Sequence, residues 1–168
     1  DMRIILAFLL VLILGSCKTI FTAEMKIKLE SNNVDLSSIQ YYNSSKIVLK
    51  RNLLDSESNV EDGKIRMENG RRTQIIKLNK NTPGILYENN GDTLGLIFEE
   101  GENRTIPFTY SSSKDDFRFK ETTLIYEGKI YRVYYPSGYA KVKVKKTDLS
   151  KEIKESRKMK GLKVSNQS

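Results

Sequence analysis

Two hydropathy patterns divide the chain. Residues Ile4-Ile5-Leu6-Ala7-Phe8-Leu9-Leu10-Val11-Leu12-Ile13-Leu14 form an unbroken apolar run. From Met25 onward apolar and polar residues alternate instead, with turn-forming residues roughly every ten positions, the pattern of short half-buried strands. The alternation predicts strands at Met25–Leu29, Lys46–Arg51, Lys64–Met67, Arg71–Leu78, Ile85–Glu88, Thr93–Glu99, Thr105–Tyr110, Phe117–Phe119, Thr123–Tyr126, Ile130–Tyr135 and Tyr139–Lys145. Ser37–Tyr42 is expected to pack a loop or short strand onto the core. Asp62-Gly63, Asn69-Gly70 and Asn90-Gly91 favour the type I′ hairpin turn, whose twist matches paired strands. Pro83-Gly84 and Glu127-Gly128-Lys129 also turn the chain, and Pro107, which lacks a ladder donor, predicts an edge position.

So many short strands joined by tight turns predict an all-β fold, a small antiparallel barrel or sandwich of hairpin-linked strands. The last segment breaks the pattern. Leu149 and Ile153 share a helical face after Asp148 as N-cap, but Met159 and Leu162 fall elsewhere. The expectation there is a short C-terminal helix fraying into a disordered basic tail.

The opening apolar run is too short to cross a bilayer as a helix, which takes roughly twenty residues. It has the length of a signal-peptide core and follows the positive Arg3. It ends in Leu14-Gly15-Ser16-Cys17, which closely resembles the lipobox of bacterial lipoproteins. That resemblance implies cleavage before Cys17, a diacylglyceryl thioether on its sulfur and acylation of the new amine. Gly15 and Ser16 are small enough for a protease groove, and only a thiol at position 17 can form the thioether. Cys17 is the one cysteine of the chain, so no internal disulfide competes for it. At about 0.8 kcal/mol per buried CH₂, two or three acyl chains hold far more firmly than one. The expected organisation is a signal peptide at 1–16, a lipidated cysteine and tether at 17–24, a β-domain at 25–146 and a basic tail at 147–168.

Composition narrows the chemistry. The chain has no His, which excludes Ser-His-Asp and Cys-His catalysis, histidine zinc ligands and an imidazole proton shuttle. Paired carboxylates remain as acid–base candidates. The densest acidic stretches, Asp115-Asp116 and Glu99-Glu100-Gly101-Glu102, sit in turn-like contexts and are expected as solvated loops; neither has calcium-loop spacing. No metal site or cofactor is expected.

Charge is uneven. Residues 141–168 hold ten basic residues (Lys141, Lys143, Lys145, Lys146, Lys151, Lys154, Arg157, Lys158, Lys160 and Lys163) against three acidic ones. They therefore carry +7 of the chain's net +8. Such a segment attracts anionic lipid or any polyanion.

Further stretches resemble a family of uncharacterised small lipoproteins of Bacteroidota. They are Ile39–Ser44 leading into Ile47–Arg51, Lys80–Gly84, Phe98–Gly101, Tyr126–Tyr131 and Lys160–Val164. The resemblance implies a lipid-anchored envelope protein and supplies no catalytic residue. Lys18 is not the aspartate that resembles an inner-membrane retention signal in enteric bacteria, which points to the outer membrane. Lys18–Thr22 also lacks the acidic cluster resembling the surface-export signal of Bacteroidota, which points to the periplasmic face. Asp92-Thr93-Leu94 resembles the short O-glycosylation motif of that phylum, with Thr93 as the acceptor; for so short a motif, a turn leading into a strand is the simpler account.

The leading functional reading is a membrane-anchored, non-enzymatic binding or scaffolding module of the bacterial cell envelope. Its partners are membrane lipid, through acylated Cys17, and another envelope protein. The alternatives are a carboxylate-dependent cell-wall glycan hydrolase and a polyanion- or nucleic-acid-binding surface protein, for which specific nucleic-acid recognition is not expected. Nine tyrosines are available for a binding face, although most are expected to serve the core or strand pairing.

Overall fold

A computed structural model describes residues 17–53, 64–68 and 71–150, with side chains described outside 64–71. The expected signal peptide at 1–16, the Asp62-Gly63 and Asn69-Gly70 turns, and the tail from Lys151 onward lie outside the described residues.

The fold is all-β and resolves the choice between barrel and sandwich. Twelve strands are described: β1 (Lys18–Ile20), β2 (Tyr41–Asn43), β3 (Ile47–Asn52), β4 (Lys64–Glu68), β5 (Arg71–Leu78), β6 (Pro83–Asn89), β7 (Thr93–Ile97), β8 (Ile106–Ser111), β9 (Asp116–Phe119), β10 (Thr123–Tyr126), β11 (Lys129–Tyr134) and β12 (Ala140–Lys145). One sheet runs β1-β12-β2-β6-β7-β8-β9, and β9 pairs back onto β12. Those pairings close an antiparallel barrel of six strands, β12-β2-β6-β7-β8-β9, with β1 lying along β12. The second sheet runs β10-β11-β3-β5-β4.

The connections give the barrel two unlike ends. Tyr41 of β2 lies opposite Val144 and Gly84. The Asn89–Thr93 and Ser111–Asp116 turns therefore close the same end of the barrel as Lys145. The chain leaves for the second sheet and returns from it at the other end, through β2–β3, β5–β6, β9–β10 and β11–β12. Asn43 fixes one of these exits. It is fully buried, its Oδ1 accepts the Thr82 N–H at 2.9 Å, and its Nδ2 donates to the Ser45 carbonyl at 2.8 Å.

Met25–Leu29, expected as a strand, is helical. Helix α1 spans Ala23–Ser31, and the Thr22 side chain caps it by accepting the Met25 N–H at 3.2 Å. Met25 and Leu29, four apart, face the core, while Ile27 is 64% exposed. Lys26 and Glu30 pair at 2.7 Å along the helix. The Ala23 N–H reaches Asp115 at 3.3 Å, and Glu30 accepts from Asn89 at 3.3 Å, so α1 lies across the Lys145 end of the barrel.

A second helix, α2, begins at 146 rather than after Asp148 and is described as far as 150. Leu149 is buried in the core, so the tail expected from 147 begins as docked structure.

One apolar core joins the barrel, α1 and the second sheet. It includes Phe21, Leu29, Tyr41, Phe108, Phe117, Phe119 and Val142 from the barrel side, and Leu49, Leu124, Tyr126 and Tyr131 from the second sheet. A fully buried side chain of this size contributes about 1.5–3 kcal/mol. Thr73 and Gln74 of β5 are buried polar residues in the second sheet, 3% and 2% exposed; the Gln74 Oε1 accepts from Tyr131 at 3.0 Å and Arg51 at 2.6 Å.

Pro107 occupies a local edge within an interior strand. The Tyr110 N–H bonds back to Asp92 at 2.7 Å, so by alternation the Pro107 nitrogen faces away from β7. On that side β9 pairs only as far as Thr109. The two-residue I′ turn falls at Glu127-Gly128, with φ of 54° and 71° between the paired Tyr126 and Lys129. At Asn90-Gly91 only the glycine has positive φ, and the connection is longer.

Candidate functional site

Cys17 is exposed and adjoins β1 directly. The expected tether at 17–24 is therefore largely structured: Lys18, Thr19 and Ile20 pair with Lys145, Val144 and Lys143, and Phe21 is fully buried. The Phe21 N–H donates to Val142 at 2.9 Å, and the Lys146 N–H donates to the Cys17 carbonyl at 3.4 Å. No slack separates Cys17 from the barrel.

Alternation along β12 turns Val142 and Val144 inward and Lys141, Lys143 and Lys145 outward. Lys18 lies directly opposite Lys145, a like-charge pair that costs stability in a sheet. Both ammonium groups approach the Tyr42 ring, Lys18 at 4.0 Å and Lys145 at 5.7 Å from its centroid. The negative face of the ring offsets part of the repulsion. Among the described residues, no carboxylate forms an ion pair with Lys18, Lys143, Lys145 or Lys146.

Lys141 differs from its neighbours. Its Nζ lies 3.2 Å from Asp116, which also takes the guanidinium of Arg118, with Nη2 at 2.8 Å. Arg118 pairs with Lys141 where β9 closes onto β12, so this triad pins the barrel seam. Asp116 is 3% exposed, which corrects its expected place in a solvated loop. Burial alone would raise its pKa, but hydrogen bonds from Arg118 and Lys141, with their charge, outweigh burial and hold it below its ordinary value.

The other acidic stretch is also engaged. Glu99 accepts the Tyr126 hydroxyl at 2.6 Å and lies 3.6 Å from Arg104, whose second arm reaches Glu127 at 2.8 Å. Burial, then the hydrogen bond to Glu99, push the Tyr126 phenol far above its ordinary value, so it remains a donor. Gly101 has φ 133°, and a Cβ there would meet Arg104 at 2.6 Å, so glycine is needed for this loop to fold over the guanidinium. Glu99 and Tyr126 line part of a cavity of about 270 Å³ between the barrel's far end and the second sheet. Ile47, Leu49, Leu78, Phe98 and Ile106 supply its apolar walls.

Lys143, Lys145 and Lys146 thus gather beside Cys17, Lys141 is committed to the seam, and Lys151, Lys154, Arg157, Lys158, Lys160 and Lys163 lie outside the described residues. Sequence reasoning missed Lys18 and Tyr42 as members of the group. The polar-apolar sequence Lys18-Thr19-Ile20-Phe21 was the available signal for a strand there. Thr93 opens β7, half-buried, with its hydroxyl 3.4 Å from that of Thr109. Of the tyrosines, Tyr41, Tyr126 and Tyr131 are core, while Tyr87, Tyr134 and Tyr139 are exposed.

Among the described residues, no group of three or more His, Cys, Asp or Glu is placed to hold a metal, and no helix is long and apolar enough to cross a membrane. No protein-family model matches the chain, and no curated protein or solved structure is significantly similar to it.

Proposed function

We propose that the chain is a membrane-anchored lipoprotein of the bacterial cell envelope. In this reading acylated Cys17 holds the barrel on the periplasmic face of the outer membrane, and the protein acts as a non-enzymatic binding module. The observation that carries the proposal is the opposition of the two barrel ends. Cys17 is exposed beside Lys145 and Lys146 at one end, and the cavity lined in part by Glu99 and Tyr126 lies at the other. An anchor and a binding cavity so placed do not compete for space. The apolar walls with a few polar groups among them suit ligand binding. The lack of His, and the engagement of Asp116 and Glu99 with cationic partners, favour binding over hydrolysis.

The test is Cys17→Ala in the producing cell. The variant should accumulate as a larger precursor without lipid label. Normal maturation and membrane retention of this variant would refute the reading.

A further inference from the structure

We propose that the β1–β12–β2 flank beside Cys17 is a docking surface for anionic phospholipid headgroups, which holds the barrel in one orientation against the bilayer. This rests on the lipoprotein reading and adds what a lipid anchor alone does not supply. The first observation is geometric. Lys18 is already paired with Lys145, so the sheet begins one residue after Cys17. With consecutive Cα atoms about 3.8 Å apart, acyl chains in the bilayer bring β1 to the headgroup layer. A flexible tether would let the domain swing clear, and here the chain offers none.

The second observation is electrostatic. Lys18 and Lys145 are held opposite each other, sharing the Tyr42 ring, with Lys143 next along the same outward face. Lys141 on the same strand has its carboxylate in Asp116, whereas the three lysines nearer Cys17 have none among the described residues. A headgroup phosphate between Lys18 and Lys145 would relieve the like-charge pair that the sheet itself leaves. Lys146, hydrogen-bonded to the Cys17 carbonyl, extends the positive edge. Anionic lipid is the occupant because the anchor residue fixes what lies next to this surface. At the opposite end Lys129, the exposed first residue of β11, serves as an internal reference.

The experiment uses the mature lipidated protein in nanodiscs of phosphatidylcholine alone or with phosphatidylglycerol, footprinted with an amine-acylating reagent and read by mass spectrometry. Lys143 and Lys145 should be several-fold less reactive with phosphatidylglycerol present, and high salt should reverse much of that protection. Lys129 should react equally in both. Lys145→Glu should abolish the lipid-dependent protection of Lys143, and Lys145→Arg should preserve it. The mass of the Cys17 peptide in the same digest separates the two claims. If Cys17 carries no lipid, the lipoprotein reading fails and docking loses its basis. If Cys17 is lipidated but Lys143 and Lys145 react like Lys129 in both lipids, docking alone is overturned.

Discussion

Lys146 donates its backbone N–H to the carbonyl of Cys17 across 3.4 Å, so the expected lipid-bearing residue and the first residue of α2 lie side by side. The proposed anchor residue and the start of the basic C-terminal segment therefore lie at one point of the fold. Leu149 shows where docking counts: it is 8% exposed and packs into the core. Leu149→Ala should cost about 2 kcal/mol, the low end for a buried leucine because the site lies at the core's margin. Chemical denaturation checks this.

Truncation after Ser150 should leave that core intact. It removes six basic and two acidic residues, so its effect should be on polyanion binding rather than melting temperature. Binding of the truncated protein to anionic vesicles should weaken, and the loss should shrink as salt rises. A large drop in melting temperature would show that residues beyond 150 are docked.

The barrel seam depends on Asp116. Asp116→Asn leaves Arg118 and Lys141 without their carboxylate and should cost about 2 kcal/mol, below the range for a fully buried pair because Lys141 is partly exposed. The wild-type carboxyl has a folded pKa below its ordinary 3.8. Its contribution is therefore present above that value and lost as pH falls through the folded pKa. Unfolding measured from pH 6 downward should show stability falling below about pH 4, with a shallower fall in Asp116→Asn.

At high pH the sign reverses. Burial, aided by neighbouring carboxylates, raises the folded pKa of Tyr41 and Tyr126 above the ordinary 10.0. Their contribution is complete below pH 10 and lost as pH climbs toward the folded values. Tyr126→Phe should reduce the alkaline loss of stability while giving up the 2.6 Å bond to Glu99.

Asn43 tests the barrel exit. Asn43→Ala strands the half-buried Thr82 N–H and Ser45 carbonyl and should cost about 1–2 kcal/mol. Asn43→Asp keeps the size but replaces the donor to Ser45 with an acceptor at a fully buried position, and it should be no better tolerated.

Most strands were legible because each carries local information. Thr123-Leu124-Ile125-Tyr126 and Ala140-Lys141-Val142-Lys143-Val144-Lys145 alternate, and tight turns bound them. Barrel closure was not legible, since Ala140 meeting Phe119 and Lys141 meeting Arg118 is a long-range choice with no local signature. Helix α1 was misread because Met25-Lys26-Ile27-Lys28-Leu29 alternates like a strand, whereas the deciding features are the Thr22 cap and the Lys26–Glu30 pair. Cys17 was legible as a proposed lipidation residue from four consecutive residues. Its companions Lys18 and Tyr42 were not, because they meet Lys145 only through the β1–β12–β2 pairing.

We propose that this barrel is held on a membrane through Cys17. The most direct test is the mass of the N-terminal peptide of the protein extracted from the membranes of the producing cell. The expected peptide begins at Cys17 and carries a diacylglyceryl thioether. A peptide that begins elsewhere, or a Cys17 with a free thiol, would contradict the proposal.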